Sequence, residues 1–248
     1  MKPRLRDKLT FPSRLAYFAW RLLGITEVTV RLRKPVGTLL ILRRPPATDL
    51  ATANEIYVGD VYVSPEPLVT KSGKVKRIAD LGANVGYSLL YFGRTYPEAA
   101  ITAYEPHPVF CERARKHLTL NKLTDWVLLH EVAVGVEGGH VVLTDEENCS
   151  KVTTASDGLK VARRDVFADL GSDAIDIFKI DIEGAEYAIL ADDRFAALRP
   201  ATIVLEWHNT DAVADGKQWC EARLTALNYR VVHTYRGESH GVLWAYAR

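Results

Sequence analysis

The chain lacks the sequence features that mark disulfide-bonded, zinc-bound or membrane-spanning proteins. It has only three cysteines among 248 residues, and Cys111, Cys149 and Cys220 form neither a CxxC pair nor a cysteine–histidine cluster. This spacing argues against a disulfide framework and a structural zinc site, so we expect a reducing, cytoplasmic environment. No apolar run reaches the roughly 20 residues of a membrane-spanning helix. The N-terminal apolar patch has no small-residue cleavage site after it, so we expect no signal peptide.

The net charge is also close to zero, because the chain has 32 lysines and arginines and 31 aspartates and glutamates. With 48% hydrophobic and 25% charged residues, the composition is globular and excludes disorder. The charges are unevenly distributed: residues 1–44 hold eleven basic side chains and two acidic ones, for a net charge of +9, and the remainder therefore carries −8. A basic segment could meet an acidic partner, a membrane surface or phosphates. We interpret it as a solvated face that neutralises its own acidic domain.

Hydrophobic periodicity divides the chain into a short extension and one α/β domain. Residues 1–48 form the basic extension, which begins with a predicted helix at 13–23. Two strands at 27–33 and 37–43 are predicted to pair as a β-hairpin within it.

Residues 49–248 form the second part, in which strands alternate with helices after a short helix at 49–58. The strands are predicted at 77–81, 100–104, 127–133, 175–180, 201–206, 229–235 and 241–247. The main helices are predicted at 85–95, 108–121, 185–196 and 214–227. This alternation predicts a parallel sheet with helices on both faces. Because a short link joins the last two strands, we expect six parallel strands and one antiparallel strand.

A glycine-containing turn follows the first strand of this domain. Residues 80–88 read DLGANVGYS, and the glycines at 82 and 86 would let a ligand approach the backbone where a helix begins. The turn lacks the middle glycine of the dinucleotide-binding GxGxxG pattern, and it is not a phosphate-binding P-loop. Asp80 would disfavour a pyrophosphate and would suit a ligand with an ammonium group. The alternative is an ordinary strand-to-helix turn.

Two further positions indicate a nucleoside ligand. Glu105 follows the second strand at the same edge, where a carboxylate can accept hydrogen bonds from both ribose hydroxyls. Without a ligand it would be an acid at the start of a helix, ahead of Pro106 and Pro108. Val132 and Ala133 end the third strand and are small and apolar enough to contact an adenine ring. A nucleoside with an amino-acid tail and no phosphates fits these features, and S-adenosylmethionine is such a ligand.

Acidic residues follow the fourth strand, in the segment KIDIEGAE at 179–186. Asp181 comes directly after the buried strand, and Glu183 and Glu186 lie one helical turn apart. Desolvation of three acids is costly unless they bind a cation, a hydrogen-bond donor or a substrate hydroxyl. The helix macrodipole explains Glu183 and Glu186 without a ligand, but it explains Asp181 less well.

The fifth strand ends in Glu206-Trp207-His208-Asn209. His208 can serve as a general base, because the ordinary pKa of histidine lies near physiological pH. Its place at the end of a strand, at the same edge as Asp181, distinguishes it from the other six histidines.

Taken together, the segments DLGANVGYS, AYEPHP, AVG, KIDIEGAEYAIL and LEWH resemble the FkbM family of methyltransferases, over about residues 49–208. The resemblance implies a class I methyltransferase (Rossmann-like) α/β fold. It also implies S-adenosylmethionine-dependent methyl transfer to a hydroxyl of a sugar or polyketide-type natural product. The family's cofactor roles correspond here to Asp80, Gly82, Asn84, Gly86, Ser88 and Glu105. The basic extension is a departure from the family.

We therefore expect a set of cofactor contacts along the carboxyl edge of the sheet: Asp80, Gly82, Ala83, Asn84, Gly86, Tyr87, Ser88, Glu105, Pro106, Val132, Ala133 and Asp181. Around the acceptor hydroxyl we expect Asp181 and His208, with His208 as the base and Glu183 or Glu206 in support.

Two alternatives stay open. In the first, Asp181 with Glu206, His208 or Asn209 binds Mg²⁺ and lowers the pKa of the acceptor hydroxyl; we favour a metal-free site, because Mg²⁺ usually takes more oxygen ligands. In the second, the chain is a non-enzymatic module that binds RNA or an acidic partner. The absence of an aromatic-rich basic sheet motif argues against nucleic acid. The oligomeric state is left open.

Overall fold

The computed structural model describes residues 4–68, 70, 73–144, 152–153 and 158–248. Its helices are α1 (Leu5–Lys8), α2 (Phe11–Leu23), α3 (Asp49–Tyr57), α4 (Tyr87–Thr95), α5 (Pro108–Asn121), α6 (Val166–Leu170), α7 (Glu186–Ala191), α8 (Asp193–Leu198) and α9 (Gly216–Ala226). Its strands are β1 (Glu27–Arg31), β2 (Leu39–Arg43), β3 (Arg77–Leu81), β4 (Ala100–Tyr104), β5 (Val127–His130), β6 (Ala133–Gly135), β7 (Gly139–Leu143), β8 (Val152–Thr153), β9 (Leu159–Asp165), β10 (Ile177–Ile180), β11 (Thr202–His208), β12 (Tyr229–Arg236) and β13 (His240–Ala247).

Seven strands form the main sheet, in the spatial order β12-β13-β11-β10-β3-β4-β5. Strand β13 runs antiparallel to both of its neighbours, β11 and β12, and the pairs from β11 to β5 are parallel. The prediction of six parallel strands and one antiparallel strand is confirmed. The central strands are apolar along their length because helices cover both faces of the sheet.

A hydrophobic core lies on each face of the sheet. Side chains alternate between the two cores along a strand, so that Ile78 packs on one face and Ala79 on the other. Helices α3, α4 and α5 contribute to the first core, and α6 to α9 contribute to the second. Both faces are therefore closed, and ligands reach the sheet at its edges.

The N-terminal extension shares the first of these cores. Trp20, Val30 and Leu40 are fully buried in the same cluster as the sheet residue Ile78. The predicted hairpin is present as antiparallel strands β1 and β2, and the N–H of Ile41 in β2 donates to Nε2 of a histidine in α5 at 2.9 Å. The extension predicted at residues 1–48 and the α/β domain that follows it therefore share one continuous hydrophobic core.

The structure contains a second sheet, of four strands, that the sequence analysis does not predict. Its order is β6-β9-β7-β8, and it lies in the chain between β5 and β10. The strand predicted at 127–133 is wrong in its second half, because β5 ends at His130 and Ala133 pairs instead with Arg163 of β9. Exposed and half-buried residues alternate along β9, a pattern that is typical of a strand with one covered face.

The predicted helix at 185–196 is two helices. Asp192 adopts an extended backbone, and its carboxylate accepts a hydrogen bond from the N–H of Arg194 at 2.9 Å, so that it caps a new helix, α8. Asp165 caps the unpredicted helix α6 in the same way. In both places an aspartate side chain competes with the backbone and ends the preceding element.

No helix in the described part of the chain combines the length and the apolar character needed to cross a bilayer.

The hairpin is joined to α3 by an ion pair between the half-buried Arg43 and the buried Asp49, and this pair gives a stability test. Both carboxylate oxygens of Asp49 accept from the Arg43 guanidinium, at 2.6 and 3.0 Å, and Oδ2 also accepts from the backbone N–H of Arg43. We expect Asp49→Ala to lower the free energy of unfolding by about 1.5–3 kcal/mol, because it removes the charge-assisted hydrogen bonds between Asp49 and the half-buried Arg43. Urea denaturation measures this. The control is Glu98→Ala, which removes an exposed acid between Lys74 and Lys76; equal losses in the two variants would contradict the expectation.

Candidate active site

The carboxyl ends of β3, β4, β10 and β11 meet at one edge of the main sheet. The glycine turn at 82–86 leaves β3 and leads into α4. Glu105 follows β4, Asp181 follows β10, and β11 ends at His208. Parallel strands bring their carboxyl ends to a common edge, so the structure brings together residues that are far apart in the sequence.

Two glycines in the turn allow close packing. Gly82 has a φ of +86°, and a Cβ at this position would lie 1.8 Å from the carbonyl oxygen of Asp181. Gly86 has a φ of +89°, and its Cβ would lie 3.0 Å from Ala114 of α5. The sequence predicts a glycine at position 82 because a ligand approaches the backbone there. The structure gives a second reason: the backbone at Asp181, after β10, leaves no room for a side chain at this position.

Glu105 accepts backbone hydrogen bonds at both carboxylate oxygens. The N–H of Asn84 donates to Oε2 at 2.8 Å, and the N–H of His107 donates to Oε1 at 2.9 Å. Only 5% of Glu105 is exposed. Burial raises its pKa to about 7, although the two N–H donors lower it. Each oxygen retains a further lone pair that a ligand hydroxyl can use.

A cavity of about 80 Å³, here named the β4 cavity, lies beside Glu105. The apolar part of its lining is made by Tyr104, Pro106, Phe110, Val132, Ala133, Val134, Leu143 and Ile182. The structure thus brings the predicted contacts Pro106, Val132 and Ala133 to the same cavity as Glu105.

Asp80 has a cationic partner within the chain. It is fully buried, Oγ of Ser88 donates to its Oδ2 at 2.6 Å, and Nζ of Lys179 lies 3.0 Å from its Oδ1. Lys179 also donates to the carbonyl oxygen of Gly82 at 2.6 Å. The sequence predicts that Asp80 meets the ammonium group of a ligand, whereas the structure places the Lys179 ammonium there. A direct contact of Asp80 or Ser88 with a cofactor stays a prediction.

Tyr87 and Ala83 both line a second cavity beside the turn, and Tyr87 also contacts the N-terminal hairpin. The hydroxyl of Tyr87 donates to the carbonyl oxygen of Ile41 at 2.6 Å, and its ring centroid lies 5.0 Å from that of His117. The Tyr87 side chain therefore supports the N-terminal hairpin, because β2 covers the first turn of α4. Ala83 is buried and lines the second cavity described next.

The second cavity, here named the β11 cavity, has a volume of about 270 Å³ and adjoins the first. Its acidic lining comes from three elements of the chain: Glu55, Asp181, Glu183 and Glu206. Asp181 and Glu183 also line the β4 cavity, so the two cavities meet at these carboxylates.

His208 is oriented by Glu186. The backbone N–H of His208 donates to Oε1 of Glu186 at 3.0 Å, and Nδ1 of the ring lies 3.3 Å from the same oxygen. Glu186 is fully buried, and its other oxygen accepts from the N–H of Gly184 at 2.8 Å. On the opposite side of the ring, Nε2 lies 3.5 Å from Glu183 and 3.7 Å from Glu206. Glu186 therefore fixes the imidazole with Nε2 toward the acids of the β11 cavity.

Crowded carboxylates favour protonated groups at this edge. Burial by itself lowers the pKa of His208, but the hydrogen bond to Glu186 and the charges of Glu183 and Asp181 raise it to about 9. Burial, followed by the charge of Asp181, raises the pKa of Glu206 to about 9. These surroundings favour the protonated imidazole, in contrast to the ordinary histidine pKa assumed from the sequence.

Three of the predicted residues could also hold a cation. One ligand atom each from Asp181, Glu206 and His208 lies within 4.8 Å of the other two, and this is the one such group found among the described residues. A carboxylate behind the imidazole, as Glu186 is here, commonly orients histidines that bind metals. The side chain of Asn209 is already used, because it donates to the Glu238 carbonyl and accepts from a backbone N–H of α9.

Sequence reasoning does not predict the roles of Lys179, Glu186 and Glu55. Lys179 does have a signal, since it is a charged residue within an otherwise apolar, fully buried strand. Glu186 lies in the acidic segment, but the macrodipole of its helix explains it without further contacts. Glu55 gives no signal in the sequence, because only the packing of α3 brings it to this edge.

The strand order and the cavities at the carboxyl edge define the class I methyltransferase fold. Residues 80–231, more than half of the chain, match the model of the methyltransferase FkbM domain. The chain belongs to this family, which confirms the resemblance seen in its sequence.

Individual relatives match over part of their length. Methyltransferase sdnD of Sordaria araneosa is 28% identical over 170 residues, which are 52% of this chain and 66% of the relative. Methyltransferase 1 of Beauveria bassiana is 33% identical over 67 residues, 27% of this chain and 26% of the relative. The crystal structure of methyltransferase FkbM from Methylobacillus flagellatus shares the fold with a TM-score of 0.52 and 16% identity, over 80% of this chain and 54% of that chain. The chain thus spans just under two thirds of the first relative and about half of the solved chain.

The contact between Gly82 and Asp181 can be tested with two alanine variants. Gly24 shares a positive φ of +72° but has no atom within 4 Å of a Cβ, so Gly24→Ala should cost only the backbone strain, about 1–2 kcal/mol. We expect Gly82→Ala to lower the free energy of unfolding considerably more, because it adds a backbone clash. Urea denaturation of both variants measures the difference. Similar losses would show that Gly82 is needed for its φ alone.

Proposed function

We propose that this protein is an S-adenosylmethionine-dependent O-methyltransferase that acts on a hydroxyl of a sugar or polyketide-type natural product. The observation that supports this most directly is the junction of the two cavities. A cavity with a carboxylate and apolar walls opens, at Asp181 and Glu183, into one lined by acids beside His208. A donor in the first cavity and an acceptor hydroxyl in the second would meet at that junction.

The β4 cavity has the residues that this cofactor requires. Glu105 provides a carboxylate for the two ribose hydroxyls, and Val132, Ala133 and Phe110 provide apolar contacts for the adenine ring. When bound, S-adenosylmethionine supplies a methyl group on a positively charged sulfonium. The carboxylates of Asp181 and Glu183, which line both cavities, would favour that positive charge at the junction.

The acceptor hydroxyl must be aligned and must lose its proton. We assign alignment to Asp181, which lines both cavities and can accept a hydrogen bond from the hydroxyl. We assign the proton to Nε2 of His208 when the imidazole is neutral, with Glu186 holding the ring in position. Glu183, which lies 3.5 Å from Nε2, stabilises the protonated imidazole that results.

Metal assistance is the second candidate, supported by the trio Asp181, Glu206 and His208. A divalent cation there would lower the pKa of the acceptor hydroxyl and replace the base. We favour the metal-free version, because two carboxylates and one nitrogen make an incomplete set of ligands for Mg²⁺.

A non-enzymatic binding module is the third candidate function. Intact cofactor binding without methyl transfer would support it.

We also propose a cytoplasmic, reducing location. Cys111 and Cys220 are buried and unbonded, and burial raises the pKa of both thiols, which makes them unreactive. Cys149 lies outside the described residues.

The role of Glu105 predicts a specific loss of cofactor affinity. Glu105→Ala should weaken S-adenosylmethionine binding by about 1.5–3 kcal/mol, because it removes charge-assisted hydrogen bonds. It should also lower the melting temperature, since two buried N–H groups lose their acceptor. Titration calorimetry below the melting temperature separates the two effects. Glu131→Ala, which removes a nearby exposed acid paired with Arg115, is the control. An unchanged dissociation constant for Glu105→Ala would exclude the assignment.

The role of His208 predicts a pH profile. With EDTA present, transfer of radiolabelled methyl to a panel of glycosides and polyketides should accelerate as the pH rises toward about 9, because only the neutral imidazole accepts a proton. Glu183→Gln should shift this rise to lower pH, since it removes a carboxylate 3.5 Å from Nε2 that raises the pKa. His208→Gln should slow transfer by about 10²–10⁴-fold. Loss of activity with EDTA and recovery with Mg²⁺ would establish the metal alternative instead.

A further inference from the structure

Helix α2 is apolar on two opposite faces, and only one of them is covered. Its inner face carries Trp20, which is fully buried against the hairpin. Its outer face carries Phe11, Leu15, Phe18 and Leu22, which are 73%, 58%, 44% and 82% exposed. These four follow one another at intervals of four, three and four residues, so they form a single stripe along the helix. A helix that is apolar all round is normally buried all round.

The stripe continues past the end of the helix as an exposed surface. Leu23 and Ile25 are 73% and 43% exposed and lie next to its last member. We name the six side chains together the apolar ridge: Phe11, Leu15, Phe18, Leu22, Leu23 and Ile25. The helical part has 13 residues and is about 20 Å long. The guanidinium of Arg44 donates to the carbonyl oxygen of Arg21 at 2.8 Å and also to that of Trp20, so the end of the ridge is fastened to the hairpin.

Positive charge borders the ridge. At 100° per residue, Arg14 and Arg21 lie on one flank of the stripe, about 60–80° from Phe11. Among the described residues, neither forms an ion pair with a carboxylate. The wider segment at 1–44 carries a net charge of +9, against −8 for the remaining chain. The apolar ridge therefore lies in the basic part of the chain, with Arg14 and Arg21 beside it.

We propose that the apolar ridge and its flanking arginines form a peripheral binding surface for an anionic lipid bilayer. An amphipathic helix that lies in the plane of a membrane has this composition: leucine and phenylalanine enter the acyl boundary, and arginine meets the anionic headgroups. A second copy of the chain fits less well, because an isologous contact would bring two strongly basic segments together. The ridge side chains are exposed and can therefore enter a bilayer. The proposal is independent of the reaction.

Vesicle flotation tests the proposal. The intact protein should float with phosphatidylcholine vesicles that contain phosphatidylglycerol, less with phosphatidylcholine alone, and less at high salt. The double substitution Leu22→Ser, Leu23→Ser should lower the partition coefficient by about tenfold or more. Arg21→Glu should lower it by about tenfold as well. All three side chains are exposed, so circular dichroism should show unchanged folding.

Matched controls lie elsewhere on the surface. Leu128→Ser removes a leucine that is 59% exposed on the edge strand β5, and Lys160→Glu reverses an exposed charge on β9. Both should bind vesicles as the unchanged protein does. Binding that ignores phosphatidylglycerol, or that survives the ridge substitutions, would overturn the proposal. A stable dimer that the leucine substitutions dissociate, without vesicle binding, would overturn it in favour of a second copy.

Discussion

The buried ion pair between Lys179 and Asp80 holds the carboxyl edge of the sheet together. The two residues are 1% and 0% exposed, and they face each other in register on the neighbouring strands β10 and β3. Removing two charges from water is costly unless the remaining donors and acceptors are satisfied. Here Ser88 and the carbonyl oxygen of Gly82 complete the set. One interaction therefore fixes the central strands, the start of α4 and the glycine turn relative to Asp181.

The same edge holds more acids than cations, and that imbalance determines its chemistry. Among the described residues, this edge brings Lys179 and His208 together with six acids: Glu55, Asp80, Asp181, Glu183, Glu186 and Glu206. Because burial and mutual repulsion disfavour further negative charge, protons are retained, and the pKa values of Glu55, Glu206 and His208 all lie above their ordinary values. A site of this kind favours a cationic ligand, which agrees with the sulfonium donor that we propose.

The N-terminal segment has two distinct surfaces. Its inner side completes the first hydrophobic core and contacts the α4 and α5 helices through Tyr87, His117 and Asn121. Its outer side is the apolar ridge. Since the inner contacts hold the segment against the helix that begins at the glycine turn, the position of the ridge is tied to that of the two cavities.

The sequence by itself determined the seven strands of the main sheet, the presence of one antiparallel strand among them, and the edge at which the candidate site lies. Apolar strands that alternate with helices can close in few ways, and Glu105, Asp181 and His208 each follow or end such a strand. Only the tertiary structure decided which groups approach one another. The partner of Asp80 is Lys179, Glu55 reaches the edge from α3, and Tyr87 turns toward β2. The protonation of His208 was equally unpredictable, because a pKa depends on burial and on charges brought close by folding.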